Sequence, residues 1–163
     1  MYRLFVISIA FLVGLSSGVL AQEFKVDFGI GGNDSNAPIE VQADSLSVDQ
    51  ETGNARFEGS VVITQGEMQF TASLVDVAYT DGQDGISKLT GSGGVKILSG
   101  KDTAQAESAV YDVGTGLIHM QGNVSLAQGR NTITAQRMTV NTNDSTAELH
   151  GRVRTVLQPT GNQ

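Results

Sequence analysis

From Pro38 onward the chain writes one phrase four times. The segments IEVQADSLSV (39–48), MQFTASLVDV (68–77), DTAQAESAVY (102–111) and NTITAQRMTV (131–140) align on alanines at 43, 72, 106 and 135, at intervals of 29, 34 and 29 residues. In the second half of each unit a glycine, at 59, 93, 122 or 151, is followed two residues later by a valine. From the last apolar residue of the first half to that valine is 13 residues in three units and 18 in the second, so five residues are inserted within TDGQDGISKLTGSGG. A unit of about 29 residues cannot bury an apolar face alone, whereas stacked units bury a continuous stripe. The repeat is therefore read as the stacking rule of the fold.

Within each half the period is two. Val124 and Leu126, or Val153, alternate with Asn123, Ser125, Arg152 and Arg154, as on half-buried strands. Turn-forming clusters separate the halves: DQETGN (49–54), DGQDG (81–85), GTG (114–116) and NTNDS (141–145). An extra residue after each repeat alanine shifts the alternation and predicts a bulge or corner in every unit. The repeat glycine relieves a tight bend before the strand that follows it. The fold class is all-β and elongated, built from about four repeats of ~29 residues. Periodicity does not distinguish a parallel solenoid from an antiparallel roll.

Ahead of the repeats, residues 1–21 carry Arg3, an apolar run from Leu4 to Leu15, and Val19 and Ala21 at the positions a signal peptidase reads, which predicts a secretory signal peptide. Retention of the same stretch as a membrane anchor is the alternative. Residues 22–37 read as a flexible lead-in, 38–158 as the repeat domain and 159–163 as a tail. Without Arg3 the chain has 9 Lys+Arg against 17 Asp+Glu, a net charge of −8. That balance argues against nucleic acid, whose binders present basic faces, and against a general anionic-lipid surface. With no cysteine, an exported chain depends on packing and strand pairing.

Catalytic chemistry is sparse. The GIGG at 29–32 has no strand–helix context for a phosphate loop, and DGQDG lacks the rest of a calcium loop. His119 and His150 fall at polar phases and non-equivalent repeat positions, so they read as surface residues, and no metal or cofactor is expected. Asp44 and Glu107 share a repeat position two units apart. If units stacked at strand spacing they would lie about 9.5 Å apart, near the separation of inverting glycosidase carboxylates. Their polar phase and the Ser73 and Gln136 of the other units weigh against an enzyme.

What remains is the apolar interior. The inward phase comprises Val41, Leu46, Val48, Phe57, Val61, Ile63, Phe70, Val75, Val77, Val95, Ile97, Tyr111, Ile118, Met120, Val124, Leu126, Ile133, Met138, Val140, Leu149, Val153 and Leu157. With the small Ala43, Ala72, Ala106 and Ala135 recurring among valines, and no tryptophan, it reads as an open interior, lined rather than filled. The first strand begins after Pro38 and the last runs almost to Pro159 without a polar cap. Both ends are thus unpaired edges, and because they differ, self-association would run head to tail.

The pattern I-x-V-x-A-D-x-L-x-V-D…T-G-N-A-x-F-x-G-x-V-x-I-x-Q-G (39–66), continued in AESAVYDVGTGLIHMQGNVSLAQG, resembles the LptA/OstA family over about 38–158. The family motif transfers to Ala43, Asp44, Leu46, Phe57, Gly59, Val61 and Ile63. The resemblance implies a twisted β-jellyroll in the periplasm that holds the lipid A acyl chains of lipopolysaccharide in an apolar groove. It implies an LptC-like partner at the inner membrane and an LptD-like partner at the outer membrane. Two alternatives stay open at this stage: a membrane-anchored LptC-like component of the same pathway, and a structural β-solenoid with no lipid ligand.

Overall fold

The computed structural model describes residues 24–27, 37–82 and 84–157. The expected signal peptide, the tail and most of the lead-in lie outside the described residues. Eleven strands form one sheet: β1 (Phe24–Asp27), β2 (Glu40–Gln42), β3 (Ser45–Val48), β4 (Ala55–Gln65), β5 (Met68–Tyr79), β6 (Ile86–Ser99), β7 (Asp102–Asp112), β8 (Leu117–Gln128), β9 (Asn131–Asn141), β10 (Thr146–His150) and β11 (Arg154–Val156). Among the described residues no helix interrupts them. The order is β1-β10-β9-β8-β7-β6-β5-β4-β2, with β3 also on β4 and β11 also on β9, and every pairing is antiparallel. The repeat is thus a meander of long hairpins, not a parallel coil.

Each long strand bends once, at the expected corner. The register shifts between Glu58 and Val61, between Ser92 and Val95, and between Gln121 and Val124, where two residues of one strand face a single residue of the strand before or after it. Gly59, Gly93, Gly122 and Gly151 have φ of 79°, 76°, 82° and 78°, and the next residues, Ser60, Gly94, Asn123 and Arg152, are left-handed as well. A side chain is excluded at these glycines for a second reason. A Cβ on Gly59, Gly93, Gly122 or Gly151 would collide with the side chain of Asp44, Ser73, Glu107 or Gln136, the residue after each repeat alanine. Corner glycine and following polar residue are two parts of one joint: the side chain lies across the bare backbone. Asn123 donates from its own side chain to Glu107 at 2.5 Å, which closes the joint on β8.

The corners divide the sheet into two leaves that fold onto each other. The first leaf holds β3, β10 and the turn-49, turn-80, turn-113 and turn-142 ends of the long strands; the second holds β2, β11 and the ends near 66, 100 and 129. Carboxylates set the first-leaf turns. Asp49 Oδ1 accepts from the N–H of Glu51 and Thr52 at 2.8 and 3.0 Å, and Asp112 Oδ1 from that of Thr115 at 2.9 Å. These backbone hydrogen bonds hold both carboxyls below their usual range. The inserted residues lengthen the β5–β6 hairpin beyond its neighbours, ending in a Tyr79–Ile86 pair tied back by Val113 N–H to Ser87 O at 3.1 Å.

One expectation needs correction here. The lead-in 22–37 contains a strand, β1, which pairs with the outer edge of β10, so that end of the first leaf is not bare. Four alternating residues are too short a run to identify a strand by pattern alone.

The joint predicts different tolerances at two glycines of similar φ. Gly129 has φ 58° with open space around its Cβ position, whereas Gly122 meets Glu107 Cβ at 2.8 Å. Gly129→Ala is expected to lower stability by about 1 kcal/mol from left-handed strain alone. Gly122→Ala adds a steric collision and is expected to lose about 3 kcal/mol. Urea unfolding of the two variants checks the order.

Candidate functional site

Strand pairing carries the inward side chains into continuous rows. Across the first leaf run Leu46–Phe57–Val75–Gly91–Ala109–Met120–Met138–Leu149 and Val48–Ala55–Val77–Leu89–Tyr111–Ile118–Val140–Ala147. Across the second leaf runs Val41–Ile63–Phe70–Ile97–Ala104–Leu126–Ile133–Thr155. Val61, Val95 and Val124 stand opposite Ala72, Ala106 and Ala135 at the corner line. The expected inward residues on the long strands face this inner side, whereas Leu157, also expected inward, lies beyond β11 and is 70% exposed.

Along the middle the two leaves pack on each other. Val61, Ile63, Phe70, Val75, Val95, Ile97, Tyr111, Ile118, Met120, Val124, Leu126, Ile133, Met138, Val140 and Leu149 are buried, and Val41 and Phe57 partly so. The expected open interior is therefore found only at the ends. Leu46 and Val48 are each 57% exposed and Val153 is 40% exposed, because no further strand covers them. Ala43, expected inward, is likewise exposed at the β2–β3 edge. Phe70 of the second leaf explains much of the closure. Its ring lies against Gly91 of the first leaf, with Cζ 2.5 Å from where a Cβ there would stand. A cavity of about 10 Å³ remains beside it, lined by Ile39, Ile63, Gln65, Met68, Phe70, Leu89 and Tyr111.

Where the free ends of the leaves meet, a polar link crosses. Tyr111 of the first leaf donates its hydroxyl to Gln65 Oε1 of the second at 3.3 Å, and Gln65 Nε2 donates to Ala37 O at 3.2 Å. Burial pushes the Tyr111 phenol up, with Thr142 partly opposing. Among the described residues no buried side-chain polar atom lacks a hydrogen-bond partner. The interior thus offers apolar surface and no unmet polar demand, so what it can accept is an apolar chain.

Several residues of this interior were not legible beforehand. Met68, Leu89, Ala55 and Ala147 are buried in it. Leu89 sits in the stretch that reads as insertion; its place opposite Val77 and Tyr111 follows only from antiparallel register. The carboxylate pair is corrected. Asp44 and Glu107 are separated by β4, β5 and β6, so at about 4.8 Å per strand they stand about 19 Å apart along the corner line. Each unit places its two strands side by side in the same sheet, which doubles the spacing. His119 and His150 lie on the outer face, against Thr139 Oγ1 at 3.1 Å and Glu148 Oε2 at 4.0 Å.

Comparison with known proteins places this architecture. The family model described as LptA/(LptD N-terminal domain) LPS transport protein matches residues 40–146. The lipopolysaccharide export system protein LptA of Escherichia coli (strain K12) is 26% identical over 155 residues, covering 89% of this chain and 83% of that protein. The protein of the same name from Haemophilus influenzae is 27% identical over 138 residues, covering 78% and 80%. An uncharacterised protein of Rhizobium meliloti (strain 1021) is 27% identical over 136 residues, covering 77% and 73%. The crystal structure of LptH from Pseudomonas aeruginosa, described as the LptA homologous periplasmic component of the lipopolysaccharide transport device, superposes with a TM-score of 0.69. It is 23% identical and covers 77% of this chain and 99% of that one, so the two share the β-jellyroll fold.

The Tyr111 link generates a pH-dependent expectation. A phenol whose folded pKa lies above its unfolded value contributes stability that is complete below about pH 10 and is lost as pH rises through the folded pKa. Tyr111→Phe is expected to cost about 1 kcal/mol at neutral pH for the lost hydrogen bond. Urea midpoints measured from pH 8 upward should then fall less steeply above pH 10 in the variant than in the parent chain.

Proposed function

The chain belongs to the LptA/LptD N-terminal-domain family of lipopolysaccharide-transport proteins, and from that premise we propose that it is a periplasmic bridge that holds lipopolysaccharide acyl chains between its two leaves. The single observation that carries this reading is the continuity of the inward rows. They run from β3 to β10 and from β2 to β9 without a polar residue, reach Thr155 on β11, and lie uncovered at Leu46 and Val48. A self-contained core has no need to extend to the edge of its sheet. Rows that do so can continue into a neighbour of the same fold.

Energetics support tails inside and head group outside. Each methylene taken from water gains about 0.8 kcal/mol, so a dozen give on the order of 10 kcal/mol gross. Parting the leaves at the Tyr111–Gln65 side exchanges leaf–leaf contacts for leaf–lipid contacts of the same kind. The outer faces carry the charges of an acidic chain, net −7 in the full sequence, which disfavours a tight clamp on a phosphorylated head group and favours passing the lipid on. The transport path runs from an LptC-like inner-membrane component, through this chain in one or more head-to-tail copies, to an LptD-like outer-membrane component. Edge strands of each are paired by β-augmentation. In this reading residues 1–21 are removed on export, 38–158 form the working domain, and no chemical step is catalysed.

Photo-crosslinking side chains at Phe57, Tyr111 and Val124 are expected to capture lipopolysaccharide, and those at Gln121 and Arg152 to capture none. Equal capture at both sets, or none at Tyr111 and Val124, removes lipid from between the leaves. Mass spectrometry of the exported protein is expected to give Gln22 as the first residue; a retained leader would instead make the chain an anchored component.

A further inference from the structure

The outer edge of β10 is already taken. β1 lies along it antiparallel, with Phe24 opposite Leu149, Lys25 opposite Glu148, Val26 opposite Ala147 and Asp27 opposite Thr146. By contrast, among the described residues β2 and β3 pair only with β4, and β11 only with β9. The first leaf therefore ends in a four-residue strand on each side: SLSV at β3 and FKVD at β1.

These two end strands are alike in three respects. Each has apolar residues at two alternate positions, Leu46 and Val48 in one, Phe24 and Val26 in the other. In register, both pairs belong to the same two rows of the first leaf, which reach Leu149 and Ala147 at β10. Both run in the same direction, since every neighbouring pair in the sheet is antiparallel and β3, β5, β7 and β9 alternate with β4, β6, β8 and β10. A second copy that continued the first leaf past β10 would lay its β3 where β1 now lies, with the same direction and phase.

We propose that β1 is a built-in stand-in for β3 of a second copy, holding the outer edge of β10 in the single molecule and giving it up when that copy docks. The inference rests on the head-to-tail reading above and adds its control. The exchange at β10 swaps one short antiparallel ladder for another. What tips it toward assembly is the second leaf, where none of the described residues covers β11 and β2 of the incoming copy adds new pairs. Continuing the rows there sets Gln42 beside Arg154 and Glu40 diagonally across from Arg154, an opposite-charge pair on the outer face. Docking also covers Leu46 and Val48, each 57% exposed in the single chain. Because β1 is tethered, it wins at low concentration and yields at high concentration, which keeps single molecules from pairing through bare edges before they meet a partner.

The chain has no cysteine, so Lys25→Cys with Glu148→Cys places one directly opposed pair across β1 and β10. Oxidised, the variant is expected to sediment as a monomer at concentrations where its own reduced form associates. Only alternate N–H groups of an edge strand face its neighbour, so Lys25→Pro and Val26→Pro are both made. The one that breaks the ladder is expected to lower the concentration for half-association about tenfold, the equivalent of one net hydrogen bond. Equal association of the oxidised and reduced forms, or failure of the disulfide to form, overturns the stand-in while leaving head-to-tail pairing intact. If the parent chain, the reduced variant and both proline variants all stay monomeric, the head-to-tail reading fails and the stand-in with it.

Discussion

The bend at the corner is the constraint on which the rest of this molecule depends. A flat antiparallel meander of strands this long would expose one whole apolar face to water. Bending each strand once lets the two halves of that face cover each other, so a single sheet does the work of two. The bend is possible because two successive residues enter the left-handed region at Gly59–Ser60, Gly93–Gly94, Gly122–Asn123 and Gly151–Arg152. It is held because Asp44, Ser73, Glu107 and Gln136 lie over the bare glycine backbone. Chance strain at one corner would twist the sheet locally; the same joint in alternate strands lines the bends up into one fold axis.

In the proposed function the folded interior is both a core and a compartment. Its waist is built from small residues, with Gly91, Ala104, Ala106 and Ala109 on β6 and β7. Phe70 fills the space that Gly91 leaves, and the Tyr111–Gln65 hydrogen bond joins the leaf ends nearby. These are contacts of the kind that an acyl chain can replace, because dispersion and burial do not discriminate between a phenyl ring and a methylene chain. A core locked by buried ion pairs could not make that exchange. An ion pair with close geometry, Arg56–Asp76 at 2.6 Å, lies on the exposed outer face, with side chains 52% and 45% exposed. There it orders neighbouring strands at little energetic consequence.

The ends of the sheet carry the directional information. Among the described residues, β2 and β3 present a free edge with two exposed apolar side chains, while the opposite end is half covered, by β1 on β10, and half free, at β11. An edge that can template another strand is an aggregation hazard, and also the simplest means of joining like folds end to end. Self-cover on one half-edge reconciles the two.

The sequence by itself determined the parts that depend on local chemistry. The period-two rows, the glycines at 59, 122 and 151, the turns at Asp49 and Asp112 and the uncovered ends at Leu46 and Val153 are all legible, because each follows from a residue and its near neighbours. Strand direction was not legible, since a repeat of about 29 residues is satisfied equally by a parallel coil and by a hairpin; hence Asp44 and Glu107 were expected at half their spacing. Nor was the closed middle of the interior. It depends on Phe70 meeting Gly91 across the two leaves, a contact that exists only after the corner has brought opposite halves of β5 and β6 face to face. β1 was hidden for the same reason: four residues of alternating pattern are a strand only because β10, more than a hundred positions later, offers an edge to pair with.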